Sequence, residues 1–162
     1  MDLEETWKEW HPRARAYLRA FRALDDDERD AAATEAVLRA CGPAYDSRRP
    51  FAPWFFAIVR RLALNALAER REQPMPPDFF SCRESRQERI EDELALEAEA
   101  AFARRFTAGL PQEDRELVSL VYGQELRVRE AAGILGIPVG TAKWRLHVIR
   151  KAMRAAWEKE YA

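Results

Sequence analysis

The chain has little of what builds cross-links or metal centres. Its 162 residues include 2 cysteines and 2 histidines. Cys41 and Cys82 stand alone in their neighbourhoods and His11 and His147 lie far apart, so neither a disulfide framework nor a zinc site has ligands at workable spacing. Both thiols are expected to be buried or idle, with no metal and no cofactor bound. Long apolar runs are scarce too. None is expected to approach the roughly 18 residues of a membrane span. The start MDLEETWKEW is acidic where a secretory signal is basic and then apolar. These absences predict a soluble, cytosolic protein without membrane insertion. Glycine-rich phosphate loops of the G-x-x-x-x-G-K-[ST] or G-x-G-x-x-G kind are missing, and no Ser or Cys has a plausible His partner. The acidic runs 25–30 and 84–99 read as solvated faces or helix starts. Neither catalysis nor a small-molecule substrate is expected.

A strong net charge is also missing, since 27 basic residues face 28 acidic ones for a net of −1. The balance hides blocks: residues 1–42 carry a net −3, 43–71 a net +4, 72–126 a net −7 and 127–162 a net +5. A duplex within a Debye length, about 8 to 10 Å, responds to the local patch more than to the molecular total, so two basic blocks keep a nucleic-acid partner open. Arginine supplies 23 of the 27 cations, which suits bidentate contacts to phosphate and guanine.

What is abundant is helix-forming sequence. The 28 alanines and the near absence of alternating apolar positions predict an all-α protein. Helices are expected over about 3–23, 27–41 and 53–72, the second opened by Asp25, Asp26 and Asp27, whose charges complement the helix dipole, and stopped by Gly42-Pro43. Residues 43–53 form a proline-punctuated loop. The stretch 73–89, QPMPPDFFSCRESRQER, with three prolines in five residues, predicts a flexible linker; fully extended at about 3.3 Å per residue it reaches roughly 55 Å. Further helices are expected at about 90–108, 111–124, 127–135 and 139–159. The organisation is two small helical domains, 1–72 and 90–162, joined by that linker.

The C-terminal segment carries the most specific pattern. A short helix, a turn at Gly136-Ile137-Pro138 and a longer helix opened by Gly140-Thr141 have helix-turn-helix spacing. At about 100° per residue, Ala142, Leu146, Ile149, Met153 and Ala156 share one narrow apolar stripe. Trp144, His147, Val148 and Lys151 lie opposite, flanked by Lys143, Arg150 and Arg154 on one side and Arg145 on the other. The bland alternative is a solvated basic face with the tryptophan packed on a neighbour. A second constellation lies in PFAPWFFAIVRRLALNALAERRE, 50–72. Phe55, Ile58, Val59, Leu62 and Ala66 define its buried face, while Trp54, Arg61 and Asn65 share another stripe, with Arg48 and Arg49 just before it. Aromatic, cation and amide together suit single-stranded DNA, since each base stacked on an aromatic gains about 1–3 kcal/mol. The alternative there is that Trp54, Phe55 and Phe56 all belong to the core.

Taken together these residues resemble the bacterial sigma factors of the extracytoplasmic-function (ECF) group, the small two-domain subunits that direct RNA polymerase to promoters. Leu110-Pro111, Glu130-Ala131-Ala132, Leu135 to Thr141, Lys143 and Arg145-Leu146-His147 are similar to the family's promoter-binding helix-turn-helix. Tyr45-Asp46, Phe51, Trp54-Phe55-Phe56, Ile58, Arg60, Leu62-Ala63-Leu64 and Arg70-Arg71 are similar to its minus-ten recognition and melting segment. The resemblance implies that Thr141, Lys143, Trp144, Arg145, His147, Val148 and Lys151 contact the minus-thirty-five element. It implies that Arg48, Arg49, Trp54, Arg60, Arg61 and Asn65 serve the minus-ten strand, and that Asp30, Glu35 and Arg39 dock on core RNA polymerase. Promoter DNA, core polymerase and an anti-sigma factor are the implied partners. Three departures stand out: the second helix reads Asp30-Ala31-Ala32-Ala33-Thr34-Glu35, Arg61 and Asn65 replace a common asparagine and aspartate, and Trp144 replaces a small residue. A sigma-like adapter that sequesters an anti-sigma factor, and a simple helix-turn-helix repressor, are the rival readings.

Overall fold

A computed structural model describes residues 2–43, 45–72 and 94–161, all-helical with no strand among them. The elements are α1 (Leu3–Leu18), α2 (Asp26–Ala40), α3 (Phe51–Glu72), α4 (Leu94–Ala108), α5 (Gln112–Val118), α6 (Val128–Leu135) and α7 (Val139–Tyr161), with a π-helical turn at Ser119–Gly123 continuing α5. The expected linker, 73–89, lies outside the described residues, as does Cys82; Cys41 is a half-buried free thiol.

The helix starts follow from their caps. Asp2 accepts from the Glu5 N–H at 3.3 Å. Asp25 and Glu28 form a reciprocal capping box, at 2.8 and 2.9 Å, that opens α2. The first helix is shorter than the expected 3–23. After Leu18 the chain folds through i→i+3 turns, Ala20 N–H to the Tyr17 carbonyl and Phe21 N–H to the Leu18 carbonyl, both 3.0 Å. Continuing the helix would stack Ala20 over the exposed Ala16, four residues back on the same face; the turns bury Ala20, Phe21 and Leu24 instead. The last part of the expected 111–124 helix is the π-helical turn, and α7 runs on to Tyr161.

Helix α3 is long and apolar enough over Phe51–Arg70 to cross a membrane by length and composition, which corrects the expectation that no run is. Its apolar face is nevertheless a core face: Phe55, Phe56, Val59 and Ala63 are fully buried. Phe56 meets Tyr17 edge-on at 5.6 Å, and Phe55 meets Trp10 at 5.3 Å.

The two helical units are docked on one another. Tyr17, Phe21, Phe55 and Phe56 of the first unit and Leu117, Leu120, Ala131 and Leu146 of the second belong to one continuous buried cluster. Polar contacts cross the same seam. Glu116 on α5, fully buried, accepts from Arg60 Nε at 2.7 Å, from the Tyr17 hydroxyl at 3.0 Å and from Gln112 at 3.2 Å. Arg13 donates to the Gln124 side chain and carbonyl, both at 3.1 Å, while its guanidinium lies over the Trp10 ring. Burial, and next the Glu116 charge, hold the Tyr17 hydroxyl well above its ordinary pKa.

Candidate nucleic-acid interface

Helices α6 and α7 form a helix-turn-helix as the spacing predicts. Gly136 adopts a left-handed conformation, φ 68°, at the end of α6. The Ile137 N–H then reaches back to the Ala132 carbonyl at 3.0 Å, a glycine-dependent helix stop. The Glu130 carboxylate accepts from the Arg127 N–H at 2.9 Å and opens α6. Ala142, Leu146 and Ile149 are buried as expected, which fixes the rotation of α7 about its axis. The stripe then fails: Met153 is exposed, at the rim of a groove between α7 and α4.

That rotation sends the opposite face outward. Trp144 is 64% exposed and Val148 42%, so the tryptophan does not pack on a neighbour. Lys143, His147 and Lys151 are exposed beside them, Thr141 is half-buried at the helix start, and His147, Arg150, Lys151 and Arg154 line one shallow basic concavity. Arg145 behaves differently. Its guanidinium bonds Glu113 at 2.6 Å and lies 3.5 Å from Asp114, both on α5. The Glu113 hydrogen bond raises its pKa further. Arg145 therefore braces α7 against α5.

The second constellation is divided among several tasks. Arg61 and Asn65 are exposed on α3. Trp54 is half-buried, 4.9 Å from Tyr45 and 5.7 Å from Phe51, while Phe55 and Phe56 are core, so the triplet splits between its two possible fates. Arg60 points inward to Glu116. Arg48 is held by Asp46 through two side-chain bonds of 3.0 and 3.1 Å, which lower the Asp46 pKa. Arg49 is exposed, its N–H closing a turn on the Asp46 carbonyl and its own carbonyl accepting from the Tyr45 hydroxyl at 2.7 Å. Arg70 is tied to Asp25 and Glu28 at the start of α2. Of the arginines in this block whose side chains are described, Arg49 and Arg61 alone have no carboxylate partner among the described residues. The +4 of the sequence overstates the free charge of the surface.

The three α2 residues do not share a face. Asp30 turns to α1, 3.3 Å from Arg15 and 3.6 Å from His11. Glu35 and Arg39, paired at 2.7 Å, line a groove between α2 and α3 with Asn65. The contacts that the sequence does not reveal, Glu116 with Tyr17 and Arg60, Arg13 with Gln124, and Glu113 with Arg145, join residues 32 to 111 positions apart, where local periodicity carries no signal.

The fold and this outward basic helix define an all-helical protein of the helix-turn-helix class. Residues 103–153 match the family described as Sigma-70, region 4. The ECF RNA polymerase sigma factor RpoE of Cereibacter sphaeroides is 32% identical over 67% of this chain, and the match spans 59% of that relative's length. The ECF sigma factor ShbA of Streptomyces griseus is 30% identical over 76% of this chain and 67% of its own. Among solved structures, the sigma factor RpoE of Bartonella quintana, in complex with the anti-sigma factor NepR, superposes with a TM-score of 0.68 over 96% of both chains at 16% identity. CnrH in complex with the cytosolic domain of CnrY does so with 0.63 over 97% of this chain and 88% of its own, at 18% identity. The chain belongs to the ECF sigma factor family.

Proposed function

We propose that this chain is a promoter-specificity sigma factor, acting in the cytoplasm on core RNA polymerase and two promoter elements without catalysing a reaction itself. The observation that carries this reading is the solvent-facing row Lys143, Trp144, His147, Val148 and Lys151 on α7. A helix buried only for packing has no need of an outward tryptophan flanked by cations. In this reading Lys143 and Lys151 contact phosphate or guanine, Trp144 and Val148 pack on thymine methyls or sugars, and Thr141 and His147 border them. Arg145 sets the angle of the helix. Arg49, Arg61, Asn65 and Trp54 then serve the unpaired minus-ten strand, with Arg48 at its edge. Arg60 reaches DNA only if the units part. Glu35 and Arg39 are the docking candidates for polymerase, with Asp30 supporting α2 from behind. An anti-sigma factor fits as regulator, because relatives of this fold are captured in such complexes.

The sequestering-adapter reading draws support from one feature, the engagement of Arg60 by Glu116. The exposed basic face of α7 weighs against it, as a mimic that never meets DNA has no use for that face. The experiment is promoter binding by polymerase carrying this chain, measured against salt. Lys143→Ala and Lys151→Ala each weaken binding and lower the salt slope by about one ion. Unchanged slopes for both would remove α7 from the DNA.

A further inference from the structure

The outward face of α7 is divided by chemistry. At about 100° per residue, Val148 and Lys151 lie within about 40° of Trp144, at the centre of that face. Lys143, Arg150 and Arg154 lie about 80–120° round to one side, and Arg145, tied to Glu113, about 100° to the other. Trp144 and Val148, one turn apart and both exposed, thus form an apolar patch beside a cationic flank. Gly140, one turn before Trp144, has open space where a Cβ would be, so the indole projects past a bare turn. Between Val139 and Trp157 the helix has no Asn, Gln, Asp or Glu. Amides read adenine and carboxylates read cytosine, so α7 carries neither of those readers. What it does carry is lysine, which suits guanine, and an apolar surface, which suits the thymine 5-methyl group.

We propose that Trp144 and Val148 are specificity-determining residues of the minus-thirty-five contact, covering the 5-methyl groups of thymines at two successive base pairs. A helix seated in the major groove puts base edges under the centre of its outward face and phosphates under its flanks. The apolar pair occupies the centre and most of the cations the flank, so the pair meets bases rather than the sugar chain. Helix residues three positions apart address successive bases in that geometry, and Trp144 and Val148 are four apart. Readout of this kind is independent of charge: covering one methyl is worth about fourfold in affinity and releases no counterion. The inference rests on the sigma-factor reading for the site, and goes beyond it in naming the bases and the residues that choose them.

The test starts from duplexes with a randomised minus-thirty-five region, selected on polymerase carrying this chain. Two successive thymines on one strand are the expected outcome of the selection. Replacing either thymine by deoxyuridine removes only its methyl group, and should weaken binding about fourfold, by a ratio that holds as salt rises. Trp144→Ala should bind equally well with thymine or uracil at one of the two positions, and Val148→Ala at the other. Lys143→Ala should weaken all duplexes together and keep the fourfold ratio. Selected duplexes without successive thymines, uracil bound as tightly as thymine, or a methyl preference that survives both Trp144→Ala and Val148→Ala would overturn the inference. Urea midpoints matching the parent chain confirm that these surface variants fold, and the deoxyuridine arm needs no variant. Duplexes selected without methyl dependence end this inference alone; no selected duplex together with no discrete run-off start ends the sigma-factor reading and this inference with it.

Discussion

Glu116 is a fully buried carboxylate in the seam between the two units, tolerable there because Arg60, Tyr17 and Gln112 all donate to it. Removing one partner of a buried pair strands the other charge, at a typical cost of about 3–5 kcal/mol. Arg60→Ala is therefore expected to lower stability by about 3 kcal/mol in urea titrations, near the low end because the Arg60 side chain is partly exposed. Arg48→Ala, on a solvent-facing pair, leaves the midpoint where it is. Tyr17 extends the same argument to pH. Its folded pKa is raised, so its contribution is fully present below the unfolded value near 10 and is lost as pH rises through the folded value. Among the four tyrosines, absorbance titration should leave one un-ionised until the fold is lost at alkaline pH, and Tyr17→Phe should abolish that late step.

The turn between α6 and α7 and the Arg145 brace decide how the outward basic face of α7 is presented. Gly136 sits at φ 68°, with open space where a Cβ would be, so Gly136→Ala meets strain alone and should cost about 1–2 kcal/mol. Gly133, inside α6 and equally open, should gain up to about 1 kcal/mol as alanine. Opposite signs at two glycines three residues apart, read from denaturation of the full chain, check the backbone account of this turn. Arg145 gives the complementary test. As a brace on Glu113, it should lose promoter affinity when changed to alanine while shifting the salt slope less than Lys143→Ala does, and Glu113→Ala should reproduce part of the loss although it carries no positive charge to DNA.

In the whole molecule, much of the helical layout was legible. The caps at Asp25 and Gly136, the apolar stripe through Ala142, Leu146 and Ile149, and the outward Trp144 all follow from short-range spacing. The turns after Leu18 were not, because the gain from burying Phe21 and Leu24 against other helices is invisible within α1. The docking of the two units was equally hidden. It rests on Glu116 meeting Tyr17 and Arg60, 99 and 56 residues away, and it turns part of an apparent DNA-binding block into an internal clasp. Docked units predict a compact free chain. Small-angle scattering should give a radius of gyration near about 15 Å, as for a compact domain of this length, and a clearly larger, two-lobed particle would count against the clasp. Promoter-directed initiation is read out by run-off transcription with purified, active core RNA polymerase. A discrete start that depends on adding this chain is the predicted result; transcription that stays unchanged when the chain is added, with the same polymerase shown to be active, would contradict it.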